Sequence, residues 1–446
     1  MQGRTGSSIR ILNLKKDFKE RHRAILRIAL PAIITNITTP ILGLADIAIA
    51  GRLGSAAFIG AIAVGSSLFN MIYWLLNFLR AGTSGLTAQA LGARDTVRKD
   101  TVFYRGLYIG VIAGIFILIL SPFLADVFIP FMEADAGTSV IAERYFLIVI
   151  WGAPAYLATY AISGWLLGNQ DSVSTLKIAI FTNIVNILLS LSFVWILHLK
   201  IEGIALGTAI SQWLGCIYGL WIIRKKYSPS RKRLSHIFDT SELKHFFKLN
   251  FDIVLRTLCL VAVTLWFTRA GAQMGTDTLA ANALLMQLFL LFSFFMDGFA
   301  FAGEAIAGKH LGARNPKGIL ILEKDLMRWG IMLALAGMIV YFLGGEIILD
   351  LLTKEQGVKA TASDYIWWAI TIPLCGFMAF IYDGIYIGIS LTRRMLIAML
   401  AAMAVFFAIF FSLYHTMGNH ALWLAFSLYL IVRGIMQACL LKRKNL

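Results

Sequence analysis

Charged side chains are scarce in this chain: only 14% of its 446 residues are Asp, Glu, Lys or Arg, while 59% are hydrophobic. Such a composition leaves too few polar groups to cover the surface of a soluble globule of this size. Cysteine is also rare, and the four cysteines lie inside apolar segments, so neither a disulfide framework nor a CxxC metal site is expected. These shortages favour an integral membrane protein.

Motifs of common enzyme classes are missing from the sequence as well. There is no GxxxxGK[ST] loop for a nucleoside triphosphate, no HExxH zinc motif and no Gly-x-Ser-x-Gly nucleophile turn. A nucleophile paired with a base at recognisable spacing is not found either. We therefore predict that the chain is not an enzyme, and that it uses no cofactor or bound metal beyond a coupling ion.

An internal repeat organises what is present. The segment Phe78–Asp95, FLRAGTSGLTAQALGARD, returns as Phe295–Asn315, FMDGFAFAGEAIAGKHLGARN, and its Leu-Gly-Ala-Arg tetrapeptide recurs at an offset of 220 residues. The same offset relates Gly164 to Gly384 and Gly168 to Gly388. A long repeat of this kind in a membrane protein predicts two related helical bundles with the working site in or between them.

Apolar runs long enough to cross a bilayer, about 20 residues each, occur twelve times. They lie near 25–50, 58–81, 103–125, 143–167, 176–198, 203–223, 249–272, 280–307, 328–350, 364–390, 395–415 and 419–441. Lys and Arg concentrate in every second connection, which predicts a multi-pass protein of the inner (plasma) membrane with both termini cytoplasmic. The net charge of +16 follows this alternation, so we expect membrane lipids and no nucleic acid among its partners.

The fold class predicted is all-α and integral to the membrane, with two six-helix lobes related as parallel repeats around a central cleft. The expected boundaries are a basic cytoplasmic segment (1–24), an N-terminal lobe (25–223), a cytoplasmic linker (224–248), a C-terminal lobe (249–441) and a basic tail (442–446). We expect the chain to work as a monomer.

A polar stripe in the first span marks the sharpest candidate site. Asn36, Thr39, Gly43 and Asp46 recur at steps of three, four and three residues, which places them on one helical face. A carboxylate inside a span is costly unless it faces water or a partner, and burial favours its protonated form. We prefer this proton-carrying role to the alternative that Asp46 meets solvent at the end of the span. Pro31 removes a backbone hydrogen bond and is the predicted bend of this helix.

Other polar residues inside apolar spans have two interpretations each. Asn183, Asn186 and Ser190 form a stripe in the fifth span, where amides bond a neighbouring helix as often as a substrate. In the second half, the candidate carboxylates are Asp297, Glu304 and Asp383. Asp383 is a candidate for binding a cation or substrate, whereas Asp297, the repeat counterpart of the region around Arg80, could pair with it across the cleft or, as we prefer, pair within its own half.

Several stretches resemble one transporter family. PAIITNITTPILGLADIAIAGRLG, FLRAGTSGLTAQALGARD, PAYLATYAISGWLLGNQ, FMDGFAFAGEAIAGKHLGAR and AFIYDGIYIG are similar to the multidrug and toxic compound extrusion (MATE) transporters, in their DNA-damage-inducible protein F (DinF) branch. The resemblance covers nearly the whole chain. It implies two six-helix lobes around a cleft, alternating access, and export of small organic, often cationic and amphiphilic compounds in exchange for H⁺ or Na⁺.

The resemblance also carries residue roles to this sequence. It implies that Asp46 is the protonated carboxylate of the N-terminal lobe, that the first helix bends at Pro31, and that Asn183, Asn186 and Thr208 line a polar cavity with Tyr145. Where related sequences have a second Asp in the fifth helix, this chain has Ser190. A single carboxylate suits a proton better than Na⁺, which prefers several oxygen ligands and negative charge. We therefore predict a proton-coupled efflux antiporter; a Na⁺-coupled exporter and a flippase for lipid-linked glycans remain the alternatives.

Overall fold

The computed structural model describes residues 3–53, 55–132, 135–230 and 239–442, and within these ranges it contains helices and turns but no strand. Side chains of 3–17, 39, 56, 245, 346, 351 and 352 lie outside the description. The helices are α1 (Gly3–Gly51), α2 (Ala56–Leu76), α3 (Phe78–Gly92), α4 (Thr96–Phe131), α5 (Ala136–Val149), α6 (Ala153–Gly168), α7 (Ser172–Trp195), α8 (Ile201–Lys226), α9 (Thr240–Gln273), α10 (Thr276–Gly312), α11 (Pro316–Leu352), α12 (Gln356–Gly388), α13 (Thr392–Met417) and α14 (Asn419–Lys442).

Twelve segments of the described chain are long and apolar enough to cross a membrane, which confirms the predicted all-α, twelve-span fold. Two of these segments contain two helices each. One, Ala57–Gly92, joins α2 and α3 at Asn77. The other, Ala136–Gly168, joins α5 and α6 through a short 3₁₀ turn, Ile150–Gly152, after which Pro154 occupies the first turn of α6. Proline suits that position because the first helical N–H groups have no partner inside the helix.

Most helices are longer than the apolar runs that predicted them. Helix α8 continues to Lys226 and α9 begins at Thr240, so both extend into the predicted linker 224–248. Helix α11 begins at Pro316, twelve residues before the predicted span. Hydropathy marks only the part of a helix that lies in hydrocarbon, whereas helical hydrogen bonding continues into the polar region. The predicted lobe boundaries themselves stay a prediction.

The repeated Leu-Gly-Ala-Arg motif forms the same turn twice. Arg94 and Arg314 have left-handed backbone angles, with φ of 57° and 52°, at the ends of α3 and α10. Asp95 and Asn315 then cap the next helices, each accepting a hydrogen bond of 2.9 Å from the backbone N–H three residues on. The motif therefore ends one helix and starts the next.

The repeat-related glycines have the same packing role in both halves. A Cβ added to Gly164 would lie 3.1 Å from Cα of Arg80, and one added to Gly384 would lie 2.7 Å from Cα of Ala300. Positions 80 and 300 differ by the repeat offset. Helix α6 thus packs on α3, and α12 on α10, with main chain against main chain.

The chain divides into two compact units, one formed by Ile34–Leu258 and the other by Met1–Ile33 with Cys259–Leu446. The divisions fall inside α1, two residues after Pro31, and inside α9. The first unit buries Phe146 and Trp165 at its centre, and the second buries Phe406 and Trp423.

A pair of asparagines occupies the interior of the second unit. Asn282 and Asn419 exchange two side-chain hydrogen bonds of 2.8 and 2.9 Å, and Trp423 donates a third, of 2.9 Å, to the same Oδ1 of Asn282. Buried amides are stabilising only when their donors and acceptors are satisfied. This cluster therefore fixes how α10 and α14 align.

Candidate functional site

Asp46 lies on α1 in the interior of the unit Ile34–Leu258, with only 5% of its surface exposed. Its carboxylate lies near the hydroxyl of Thr208, which α8 supplies. Oδ1 has no hydrogen-bond partner among the described residues. A buried carboxylate oxygen without a partner is costly, so the arrangement leaves room for a proton or for water.

Thr208 connects the polar side chains of three other helices. Its Oγ1 accepts a 2.9 Å hydrogen bond from Nδ2 of Asn186 on α7, and lies 3.0 Å from the carbonyl of Ile204. Tyr145, on α5, lies near both Thr208 and Ser66 of α2. The Thr208 hydroxyl donates to the Ile204 carbonyl, and its single proton can turn to the Asp46 carboxylate only by giving up that bond.

Ser190 and Asn186 lie where α7 and α8 approach most closely. A Cβ added to Gly207 would lie 2.8 Å from the backbone nitrogen of Ser190, so no larger residue than glycine fits on α8 at this point. Both polar side chains are fully buried, and Oγ of Ser190 and Oδ1 of Asn186 have no partner in the described part of the chain. Orphaned buried polar atoms are uncommon in folded proteins and often mark a site of function.

The predicted N-terminal site residues are only partly brought together. Asp46, Tyr145, Asn186 and Thr208 lie in one polar cluster, in which Asn186 donates a hydrogen bond to Thr208. Asn183 instead donates a 3.2 Å hydrogen bond to the backbone carbonyl of Thr38, so it attaches α7 to α1.

The remaining predicted residues of α1 are less well placed relative to this cluster. Asn36 is half-buried on the same helix, and α1 continues as a helix past Pro31. The side chain of Thr39 lies outside the described residues.

Asp383, in the other unit, is equally buried but differently surrounded. Its carboxylate accepts hydrogen bonds from the guanidinium of Arg433 and, at 2.6 Å, from Nε2 of Gln437, both on α14. Tyr386 donates a 2.7 Å hydrogen bond to the backbone carbonyl of Gln437. Asp383 is therefore one half of a buried ion pair between α12 and α14.

The two other C-terminal candidates lie on one helix. Glu304 is 1% exposed and Asp297, two turns earlier on α10, is half-buried. Within the described ranges, no three His, Cys, Asp or Glu side chains lie close enough together to hold a metal ion.

Three residues that contact the candidate site residues were not predicted from the sequence. Ser66 was not singled out, although it is a polar residue inside an apolar span. Arg433 and Gln437 were also missed, and here a signal existed: an arginine inside the last apolar span requires a buried acceptor. The sequence does not say which carboxylate provides it.

Comparison with known proteins places this architecture in a family. The family model described as MatE matches residues 31–191 and 251–412. The DNA damage-inducible protein F of Escherichia coli (strain K12) is 34% identical over 430 residues, covering 94% of this chain and 92% of that protein. A probable multidrug resistance protein NorM of Bacillus licheniformis is 22% identical, covering 80% of this chain and 81% of that protein. The crystal structure of a mutant of the Vibrio cholerae MATE transporter VcmN shares the fold, with a TM-score of 0.88 at 16% identity, covering 96% of this chain and 98% of that one.

The chain therefore belongs to the MatE family, the multidrug and toxic compound extrusion transporters. Within that family it is similar to the DinF branch, as its motifs indicated. It is a multi-pass membrane protein and a transporter rather than an enzyme. Small organic compounds are its class of substrate and lipid is its surroundings.

Proposed function

We propose that this protein exports organic, often cationic and amphiphilic compounds across the inner (plasma) membrane in exchange for protons. Family membership supports efflux of toxic compounds, and the surroundings of Asp46 support the proton. The single observation that carries the proposal is a buried carboxylate beside the Thr208 hydroxyl, with one oxygen that has no hydrogen-bond partner among the described residues.

A proton can bind Asp46 without breaking an ion pair. In the ionised state, the carboxylate accepts the Thr208 hydroxyl. In the protonated state, Asp46 donates to Oγ1 of Thr208, whose own hydrogen then turns to the carbonyl of Ile204, 3.0 Å away. Because Thr208 also accepts from Asn186, each protonation state fixes a different hydrogen-bond pattern on α1, α7 and α8.

The exchange requires that proton and drug favour different states of the protein. We assign the ionised Asp46 to the state that binds drug, and the protonated form to a state in which α1 bends at Pro31 and drug is released outward. Both termini face the cytoplasm in this scheme, in line with the basic connections.

Na⁺ is the less suitable coupling ion for the N-terminal site. A hard cation is best held by several oxygens with more than one negative charge, and Ser190 stands where a second carboxylate would be. Asp383 has an arginine as its partner, which disfavours a cation there as well.

The decisive experiment uses purified protein in proteoliposomes loaded with a fluorescent organic cation, with a pH gradient and a Na⁺ gradient imposed separately. Export driven by the pH gradient and lost in Asp46→Asn supports the proposal. As a matched control, Asp126→Asn replaces an exposed carboxylate of α4 and should export as wild type does.

Three results would contradict the proposal. Undiminished export by Asp46→Asn removes Asp46 from the mechanism. Export driven by Na⁺ alone shifts the assignment to a Na⁺-coupled exporter. Movement of a fluorescent lipid-linked sugar without drug export favours the flippase alternative.

A further inference from the structure

Arg105 is a buried cation near the start of α4, at the end that the topology predicts to be cytoplasmic. Its side chain is 2% exposed, and its Nη1 lies 3.3 Å from Oε2 of Glu242 in the first turn of α9. The Ser241 hydroxyl and backbone N–H hold the pKa of nearby Asp239 below its ordinary value, and the Arg105 charge acts in the same direction. The start of α9 is thus fastened to α4 through a buried positive charge.

Asp325 is a buried anion near the start of α11, at the same predicted side. Its carboxylate accepts a 2.7 Å hydrogen bond from Nε of Arg21 on α1 and one of 3.1 Å from Nη1 of Arg328. His22 lies beside it, with Nε2 3.8 Å from Asp325, and accepts a 2.8 Å hydrogen bond from Trp329. The part of α1 around Arg21 is thus held against α11 by a buried negative charge.

These two attachments are related by the internal repeat. Asp325 is separated from Arg105 by the repeat offset of 220 residues, and Glu242 is separated from His22, the neighbour of Arg21, by the same offset. In each case a buried charge on the third span of one half holds the first helix of the other half. The signs are reversed between the two.

Each of the two attached segments also packs closely on a glycine of a neighbouring helix. We call residues 240–258 the α9 arm and residues 18–33 the α1 arm. The α9 arm packs on α3, where a Cβ added to Gly82 would lie 2.9 Å from Cγ of Asn250. The α1 arm packs on α10, where a Cβ added to Gly298 would lie 2.8 Å from the carbonyl of Ala29.

Each arm belongs to a compact unit that consists mainly of the other sequence half. Residues up to Ile33 group with Cys259–Leu446, and residues up to Leu258 group with those from Ile34 onward. The arms are therefore crossed in sequence, while each ion pair lies within one unit.

We propose that Arg105 and Asp325 are the buried members of two ion locks, which fasten the crossed arms at the cytoplasmic side and must release for uptake of substrate from the cytoplasm. This proposal rests on the proposed efflux by alternating access. The reversed polarity matches each lock to one arm, because exchanging the arms would bring like charges together.

The test compares charge reversals at the exposed members with charge-swapped pairs. Glu242→Arg and Arg21→Glu change side chains that are 39% exposed and should fold. The double variant Arg105→Glu/Glu242→Arg restores opposite charges; because Asp325 also pairs with Arg328, the swap there is Arg21→Glu/Asp325→Arg with Arg328→Glu added. Arg144→Glu is the matched control, since Arg144 forms an exposed pair with Glu202 at 3.7 Å.

Hydrogen–deuterium exchange of the protein in nanodiscs is the readout, together with dye export. Each single reversal should speed amide hydrogen exchange in its own arm at least about fivefold. It should slow exchange in the connections on the opposite side of the membrane, around residues 195–201 and 416–419. The swapped pairs should return both values to within about twofold of wild type. Export should fall in the singles and recover in the swapped variants.

The reciprocal pattern separates a lock from a merely stabilising contact. Faster exchange confined to the arm, or faster exchange everywhere, would overturn the proposal, as would singles that match the Arg144→Glu control. Swapped pairs that fold but do not restore exchange would overturn it too. Exchange is measured without any ion gradient, so a failure of proton coupling in wild type leaves this result independent.

Discussion

Asp46 and Asp383 are buried to nearly the same extent, 5% and 6% exposed, yet their surroundings differ. Asp46 lies beside the Thr208 hydroxyl, whereas Asp383 accepts hydrogen bonds from a guanidinium and an amide. Protonating Asp383 would leave Arg433 as an uncompensated buried cation, and protonating Asp46 would not. The partner of a carboxylate, more than its burial, therefore decides whether it can carry a proton.

The largest effect expected from this comparison is at Asp46. Asp46→Asn should reduce export under a pH gradient to the level of protein-free liposomes, because the amide cannot exchange a proton. The melting temperature should change by less than about 2 °C, because no ion pair is lost. A folded Asp46→Asn protein that still exports would contradict the assignment of the proton to Asp46.

At the Asp383 site, the loss should be one of stability. Arg433→Met leaves the Asp383 carboxylate buried without its cation and should lower the free energy of unfolding by about 3–5 kcal/mol. Unfolding in mixed micelles measures this loss. The double variant Arg433→Met/Asp383→Asn should recover part of it, and protein that survives should still export in response to pH. Loss of pH-driven export in the folded double variant would argue for a transport role of Asp383.

The glycine contacts should respond equally in both units. Gly164→Ala and Gly384→Ala each place a methyl group against backbone atoms and should cost about 1–3 kcal/mol of unfolding free energy. Gly43→Ala is the control, because a Cβ there meets nothing within 4 Å. Unequal losses at Gly164 and Gly384 would show that the repeat no longer constrains the two halves alike.

The Thr208 hydroxyl allows a finer test of the N-terminal site. Thr208→Val keeps the shape of the side chain and removes the hydroxyl that lies near the carboxylate and accepts a hydrogen bond from Asn186, so export should fall about tenfold. Thr208→Ser keeps the hydroxyl and should export within about twofold of wild type. Equal rates for Val and Ser at this position would mean that the hydroxyl does not take part.

The smallest effect is expected at Ser190. Ser190→Ala removes a hydroxyl that has no hydrogen-bond partner among the described residues, so pH-driven export should change by less than about twofold. A large loss would place Ser190 beside Asp46 as a second proton group. Initial rates of dye export at two pH values measure the difference.

The features that could be predicted from the sequence are those that repeat along the chain or that follow from the composition of a span. The offset of 220 residues predicted which glycines play equivalent roles, and hydropathy predicted twelve spans. The spacing of Asn186 from Thr208 in sequence did not predict their hydrogen bond; the family resemblance predicted only that both belong to one polar cluster.

Partners brought together by tertiary packing could not be read from sequence. Asp383 and Arg433 are fifty residues apart, and no period connects them. Asn183 bonds a backbone carbonyl on α1, which has no residue-type signature. The lengths of α8 and α9 were underestimated because charged residues end a hydropathy signal without ending a helix.

The contacts of main chain against main chain at Gly164, Gly168, Gly384 and Gly388 have a mechanical consequence. Side chains accommodate strain by changing rotamer, and a seam without side chains has no such freedom. The two helices of each pair, α3 with α6 and α10 with α12, should therefore move together as one rigid body. Bending of the transporter during its cycle should therefore be concentrated away from these two helix pairs, for example at Pro31 in the apolar span of α1.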